Sequence, residues 1–158
     1  MEQNVAVARP ELVLLGPHLE PPTPLGAATR GILPQPSRLE VVIGADDRRQ
    51  APDATAYPWR CIASLRIEAA DGTLWSGTGW FASPLLVVTA GHCVYLHENG
   101  GWARSIEVMP GCNGPDRPFG SALTTRFRTI GGWVEGRLET HDYGAILLPV
   151  ESGIAGLE

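Results

Sequence analysis

A histidine and an aspartate each stand beside an apolar run, where a side chain can be held firmly and still face a cleft. His92 ends the apolar segment Leu86–Gly91, and Asp142, fifty positions later, comes just before the apolar segment Gly144–Leu148. A carboxylate that accepts the Nδ1–H of a histidine fixes the tautomer of the ring and stabilises the imidazolium. These two residues therefore predict a general base that works near neutral pH.

Short β-like segments separated by turn residues must position this pair. Apolar and polar residues alternate with period two over Arg60–Ile67, which favours a strand. Other segments with strand-like composition are Thr73–Ala82, Leu85–Thr89, Ser121–Ile130 and Gly144–Leu148. About six short strands at close spacing predict an all-β fold, an antiparallel barrel or sandwich.

Composition narrows the class of protein further. The chain has 19 glycines and 14 prolines among 158 residues, about a fifth of the chain against a usual ~12%, which disfavours a helical bundle. The net charge of −5 offers no basic face, so no nucleic-acid partner is expected. No apolar run approaches the ~20 residues of a membrane helix, and Met1–Gly16 lacks the features of a secretory signal.

The first forty residues differ in composition from the rest. They hold half of the prolines, which resist both helix and sheet, so residues 1–40 are predicted to form an extended, weakly ordered leader. The pattern changes at Leu39–Gly44, which places a domain at residues 41–158.

The motifs, taken together, resemble a known family. T-A-G-H-C followed by D-Y-G-A-I, with the histidine before the aspartate, is similar to the trypsin-like serine proteases. Finer matches are to bacterial glutamyl endopeptidases: Val41–Gly44, Thr55–Arg60, Thr78–Trp80 and Pro110–Gly114. The resemblance covers roughly residues 41–150.

The resemblance implies a function and a fold. It implies a serine endopeptidase that acts on peptide or protein substrates, after Glu or Asp, is secreted and needs no cofactor. His92 would be the base and Asp142 its orienting carboxylate. Residues 41–158 would form the first six-stranded antiparallel barrel of a two-barrel fold, with the second barrel absent. No serine of this chain stands in the expected G-x-S-G-G motif, so the chain alone is expected to be inactive.

The resemblance also gives the leader a role. Relatives are made as precursors, so residues 1–40 would be a propeptide, and cleavage of the Glu40–Val41 bond would free the Val41 amine for the specificity pocket. The alternative is a flexible leader without a role in processing.

The three cysteines leave alternatives open. Cys61, Cys93 and Cys112 allow at most one internal disulfide. Relatives commonly join the cysteine that follows the histidine to one near the position of Gly77, where this chain has none. Cys93 either pairs with Cys61 or is a small buried hydrophobe.

Other interpretations compete with the protease. Cys112 could be a cysteine-protease nucleophile, but it sits in a Pro-Gly turn and precedes Asp142. A metal site of His92, Cys93 and His97 is disfavoured, because adjacent residues of an extended chain point to opposite sides. A protease-like half-barrel that only binds, or a gene fragment, is the main alternative.

Overall fold

The computed structural model describes residues 49–150 and the backbone of Leu12–Leu14. The rest of the leader, with the Glu40–Val41 bond, lies outside the described residues. The strands are β1 Leu12–Leu14, β2 Ile62–Glu68, β3 Leu74–Ser83, β4 Leu86–Thr89, β5 Tyr95–Leu96, β6 Gly101–Trp102, β7 Ser105–Pro110, β8 Ala122–Thr124, β9 Phe127–Ile130 and β10 Gly144–Leu147. Two one-turn helices are α1 Gly91–Val94 and α2 Gly131–Val134, and 3₁₀ turns cover Trp59–Cys61, His97–Asn99 and Glu139–His141.

Eight of the strands form one antiparallel sheet, in the order β1-β9-β10-β4-β3-β2-β7-β8, while β5 and β6 form a small hairpin. Strands β8 and β9 follow each other in the chain, yet β8 pairs with β7 and β9 pairs with β10. This connection brings distant parts of the strand order together, so the sheet curls into a barrel. The prediction of an all-β antiparallel barrel is confirmed.

The core follows from the alternation that predicted the strands. On β2, Ala63, Leu65 and Ile67 are almost fully buried, and they pack in one cluster with Val87 of β4 and Ile146 of β10. Full burial of each large aliphatic side chain contributes about 1.5–3 kcal/mol. Because β4 and β10 are anchored in this core, the ends of both strands have fixed positions.

Two features of the sheet differ from the predicted segments. The segment Ser121–Ile130 is interrupted between β8 and β9, where the Thr124 hydroxyl donates to the Leu147 carbonyl and accepts the Arg126 N–H. Strand β7 was not predicted, although Ile106 and Val108 are buried on either side of the less buried Glu107.

One part of the leader joins the sheet. Strand β1 runs antiparallel to β9, with Leu12 opposite Ile130 and Leu14 opposite Arg128. The sequence pattern gave no sign of this pairing. Within the described part of the chain, no helix has the length and apolar character needed to cross a membrane.

Candidate active site

His92 lies on the short helix α1 that follows β4. The chain is still extended at Ala90 and turns into the helix at Gly91. Cys93 and Val94 of the same turn are buried in the core, whereas the His92 side chain is 62% exposed. The buried residues thus anchor the turn and leave the imidazole facing solvent.

Asp142 lies between the Glu139–His141 turn and the start of β10. Its Oδ2 is 2.7 Å from Nδ1 of His92, and its Oδ1 accepts the backbone N–H of His92 at 2.8 Å. One carboxylate therefore holds both the ring and the main chain of the histidine. Since the carboxylate only accepts, Nδ1 carries the proton, and Nε2 makes no hydrogen bond within residues 49–150.

The pairing of β4 with β10 explains why these residues meet. Thr89 is opposite Gly144 in the ladder, so the end of β4 lies beside the start of β10. His92 comes three residues after Thr89, and Asp142 comes two residues before Gly144. The structure thus brings together the two residues that the sequence analysis singled out.

A glycine leaves the space for this contact. A Cβ atom on Gly91 would lie 2.9 Å from Cδ1 of Trp133 and 3.0 Å from Oδ1 of Asp142. Both distances are shorter than ordinary van der Waals contacts. The lack of a side chain at Gly91 therefore leaves room for the Asp142 carboxylate.

The surroundings raise the pKa of His92 from 6.5 to about 9. The Cys93 thiol is the first cause of the increase, the hydrogen bond and charge of the Asp142 carboxylate add to it, and partial burial opposes it. The atomic distances support Asp142, because no hydrogen bond joins Cys93 to the ring among residues 49–150. A thiol is also a weak hydrogen-bonding partner. We therefore attribute the increase mainly to Asp142.

The three cysteines are free thiols. Cys93 is buried in the core cluster, and its Sγ would be 2.8 Å from a Cβ on Gly77. The interpretation of Cys93 as a buried hydrophobe agrees with this position, and no disulfide joins it to Cys61. The Cys112 thiol contacts the Gly114 carbonyl at 3.7 Å.

Two further histidines lie near the pair. Nε2 of His97 donates to the Trp133 carbonyl at 2.9 Å, and His141 contacts the Thr140 hydroxyl through Nδ1 at 3.0 Å. No group of three or more His, Cys, Asp or Glu residues that could hold a metal ion occurs in the described part of the chain.

A cavity of about 360 Å³ opens directly beside His92. Trp75 of β3, Leu96 of β5 and Trp133 of α2 line it together with His92. The rings of His92 and Trp133 meet edge to face, with centroids 6.5 Å apart. Nothing in the local sequence pattern signals a cavity built from segments almost sixty residues apart.

Comparisons with known proteins find relatives over about 72% of the chain. Glutamyl endopeptidase from Bacillus licheniformis is 41% identical over 113 residues, which are 72% of this chain and 34% of that protein. An extracellular metalloprotease from Bacillus subtilis is 40% identical over 115 residues, 72% of this chain and 36% of the relative. The chain thus spans about a third of the length of these relatives. No protein-family model matches.

Solved structures resemble the fold. A Glu endopeptidase in complex with MPD matches with a TM-score of 0.61 and 29% identity, over 72% of this chain and 50% of that one. The thermostable serine protease AL20 matches with a TM-score of 0.52 and 22% identity, over 60% of this chain and 44% of that one. At 22% identity, the similarity to AL20 concerns the fold alone.

Proposed function

The chain belongs to the trypsin-like serine proteases, of which it matches one barrel, and we propose that it carries the base and the orienting carboxylate of an endopeptidase. The observation that carries this proposal is the double contact of Asp142 with His92, at 2.7 Å to the ring and 2.8 Å to the backbone. This contact leaves Nε2 free on an exposed ring.

The two residues would act in sequence during peptide hydrolysis. Nε2 of His92 takes the proton of a serine hydroxyl as its oxygen attacks the peptide carbonyl, and then returns that proton to the leaving amine as the C–N bond breaks. Water, deprotonated by the same nitrogen, then attacks the acyl-enzyme, and Nε2 gives that proton to the serine oxygen as the ester bond breaks. Asp142 keeps the proton on Nδ1 throughout and stabilises the imidazolium in each step.

The protonation state of His92 supports a role for a further protein surface that covers the ring and lowers its pKa. The raised pKa of His92 favours the imidazolium, and an imidazolium cannot accept a proton. The side chain is 62% exposed, and burial against a serine and a substrate would lower its pKa. We infer that covering the exposed ring favours the neutral form, which is the form that accepts a proton.

The nucleophile is not among these 158 residues in the form that the family uses. No serine stands in a G-x-S-G-G motif; the serines are Ser37, Ser64, Ser76, Ser83, Ser105, Ser121 and Ser152. The proposal therefore assigns the serine, the oxyanion donors and the pocket for Glu or Asp to a second barrel. Secretion, and release of residues 1–40 by cleavage after Glu40, belong to the same proposal.

A hydrolysis assay tests this division of the triad. The purified chain is mixed with a peptide anilide that carries Glu before the scissile bond, and the release of the chromophore is followed. We expect no hydrolysis above that of the His92→Ala variant. Hydrolysis that His92→Ala abolishes would show that the chain already holds a nucleophile.

A second candidate function is a binding module without catalysis. It is favoured by an exposed apolar patch formed by Trp59, Ile62 and Trp80, which are 44–52% exposed, with Ile62 opposite Trp80 in the ladder. Exposed apolar patches mark interaction sites. The DNA beyond the codon for Glu158 separates the two functions: a continuation that encodes G-x-S-G-G supports the enzyme, and a stop followed by unrelated sequence supports the module.

A further inference from the structure

We propose that Cys61 and Cys112 form a redox pair, which closes into a disulfide on reaction with a small-molecule disulfide such as oxidised glutathione. Three cysteines allow three pairings, and the sequence alone leaves the choice open. Strand register and burial select this pairing. The inference does not rest on the proposed protease function, because neither cysteine takes part in the contact between His92 and Asp142.

The register of β2 and β7 places the two cysteines opposite each other. The strands run antiparallel, and just beyond the last pair of the ladder the Gly111 N–H donates to the Ile62 carbonyl at 2.9 Å. Cys61 comes directly before Ile62, and Cys112 comes directly after Gly111, so they are the next opposed positions. Opposed residues of antiparallel strands have Cα atoms about 4.5–5.5 Å apart, within the ~4.4–6.8 Å that a disulfide spans.

The end of the ladder gives the two side chains room to meet. Cys61 ends the 3₁₀ turn that begins at Trp59, and Gly111 has a φ of +56°, so both chains leave the regular strand conformation here. A small movement of the backbone at either cysteine therefore breaks no hydrogen bond of the ladder between β2 and β7.

Burial separates the pair from the third cysteine. Cys61 and Cys112 are partly exposed, whereas Cys93 is 3% exposed and lies in the core cluster. Cys112 also lines a cavity of about 340 Å³, which leaves space beside its sulfur. Because thiol reactions require access to the sulfur, an oxidant in solution reaches the pair and not Cys93.

Neither thiol of the pair is committed to another partner. Within residues 49–150, the Cys61 thiol makes no hydrogen bond, and the Cys112 thiol makes one long contact of 3.7 Å to the Gly114 carbonyl. A thiol is a weak donor and a weak acceptor, so little is lost when either sulfur turns away from its present surroundings.

Oxidised glutathione supplies the oxidising equivalents. The thiolate of one cysteine attacks a glutathione sulfur, which forms a mixed disulfide and releases one glutathione thiolate. The thiolate of the other cysteine then attacks the cysteine sulfur of that mixed disulfide and releases the second glutathione thiolate. Two protein thiols are oxidised, one glutathione disulfide is reduced to two thiols, and the two protons pass to the released thiolates.

The disulfide would close the loop of residues 61–112, which carries β2 to β7 and the turn with His92. Closing a long loop restricts the unfolded chain and so stabilises the folded one. We expect the oxidised chain to unfold at a urea concentration about 1 M or more above that of the reduced chain. The pKa of His92 should stay the same, because the core and its contact with Asp142 do not change.

Peptide mapping of the intact chain tests the pairing directly. The chain has no lysine, and trypsin cleaves after arginine except before proline. The three cysteines therefore fall in separate peptides: 61–66 with Cys61, 67–104 with Cys93 and 105–126 with Cys112. The folded chain is incubated with oxidised glutathione, alkylated, digested and analysed by mass spectrometry. We expect peptide 61–66 linked to peptide 105–126, with the loss of two hydrogen atoms, and peptide 67–104 alkylated at Cys93.

Variants separate the pair from the third cysteine. Cys112→Ser and Cys61→Ser should each abolish both the linked peptide and the increase in the urea midpoint. Cys93→Ala is the matched control and should keep both. Each variant is compared in its oxidised and reduced forms, so any loss of stability from the substitution itself cancels.

Three results would overturn the pair. They are a linked peptide that contains Cys93, a disulfide between two copies of the chain, and the absence of any link in the folded chain at an oxidant concentration that links the chain in urea. The proposed function would survive each of them, because it fails only when the pKa of His92 does not respond to Asp142→Asn.

Discussion

Two histidines five positions apart hold their rings in different ways. His92 is exposed and pairs with a carboxylate, whereas His97 is partly buried and donates to the neutral backbone carbonyl of Trp133. Both contacts are short, at 2.7 and 2.9 Å. Only the first couples the ring to a charge. A hydrogen bond to a charged partner is about twice as strong as one between neutral groups, and it stabilises the imidazolium.

The difference separates a group that can do chemistry from a group that supports it. His92 has a free Nε2 at the surface and a carboxylate that favours its proton-bound form. Nε2 of His97 donates to the backbone of α2 and so fixes Trp133, which lines the cavity beside His92. Three substitutions and a change of pH should decrease or increase this difference between His92 and His97.

Removal of the charge at Asp142 should have the largest effect. In Asp142→Asn, the pKa of His92 should fall from about 9 towards 6.5, because the side chain keeps its shape but loses its negative charge. NMR titration of the ring measures this. Glu98→Gln is the control, since Glu98 lines the cavity but pairs with Arg137, and it should leave the pKa of His92 unchanged.

A methyl group at Gly91 should disturb the contact between Asp142 and His92 by steric crowding. Gly91→Ala should move Trp133 and Asp142 away from α1. We expect this overpacking to lower the free energy of unfolding by about 1–3 kcal/mol and to lower the pKa of His92. Urea denaturation and the same titration measure both effects. Gly79→Ala crowds Val87 in the core instead, so it should cost stability while the pKa of His92 stays as it is. An equal pKa change in both variants would refute the local explanation.

Loss of the hydrogen bond between His97 and the Trp133 carbonyl should reduce the free energy of unfolding by less. His97→Ala should lower the free energy of unfolding by about 0.5–1.5 kcal/mol, the usual worth of one hydrogen bond. It should also broaden the indole signal of Trp133, because the carbonyl of that residue loses its donor. His97→Gln keeps an N–H donor and should restore part of both losses. A large decrease in the pKa of His92 in His97→Ala would contradict the division of roles.

The pH dependence of stability should show the smallest effect. The folded-state pKa of His92 is raised above the unfolded value, so its contribution is fully present below pH 6.5 and is lost as the pH rises through about 9. Because the ring is mostly exposed, solvent screens this interaction and makes its contribution smaller than that of a buried pair. The difference between the denaturation midpoints at pH 6 and pH 10 should shrink in Asp142→Asn.

The sequence predicted the part of the site that depends on strand ends. Apolar runs located β4 and β10, and with them His92 and Asp142 at the same end of two paired strands. Local sequence patterns do not predict contacts between segments that are far apart in the chain. Trp75, Leu96 and Trp133 line one cavity only because the curled sheet brings distant segments together, and Gly91 leaves the space in which the carboxylate reaches His92. The pairing of β1 with β9 joins residues more than a hundred positions apart and leaves no local signal.

The most direct test of the account is a pH titration of the ring nitrogens of His92 by ¹⁵N NMR in the intact chain. We expect a pKa raised above 6.5 and, at higher pH, a neutral ring with its proton on Nδ1. An ordinary pKa near 6.5, or a neutral ring with its proton on Nε2, would show that Asp142 does not hold the histidine and would contradict the proposed base.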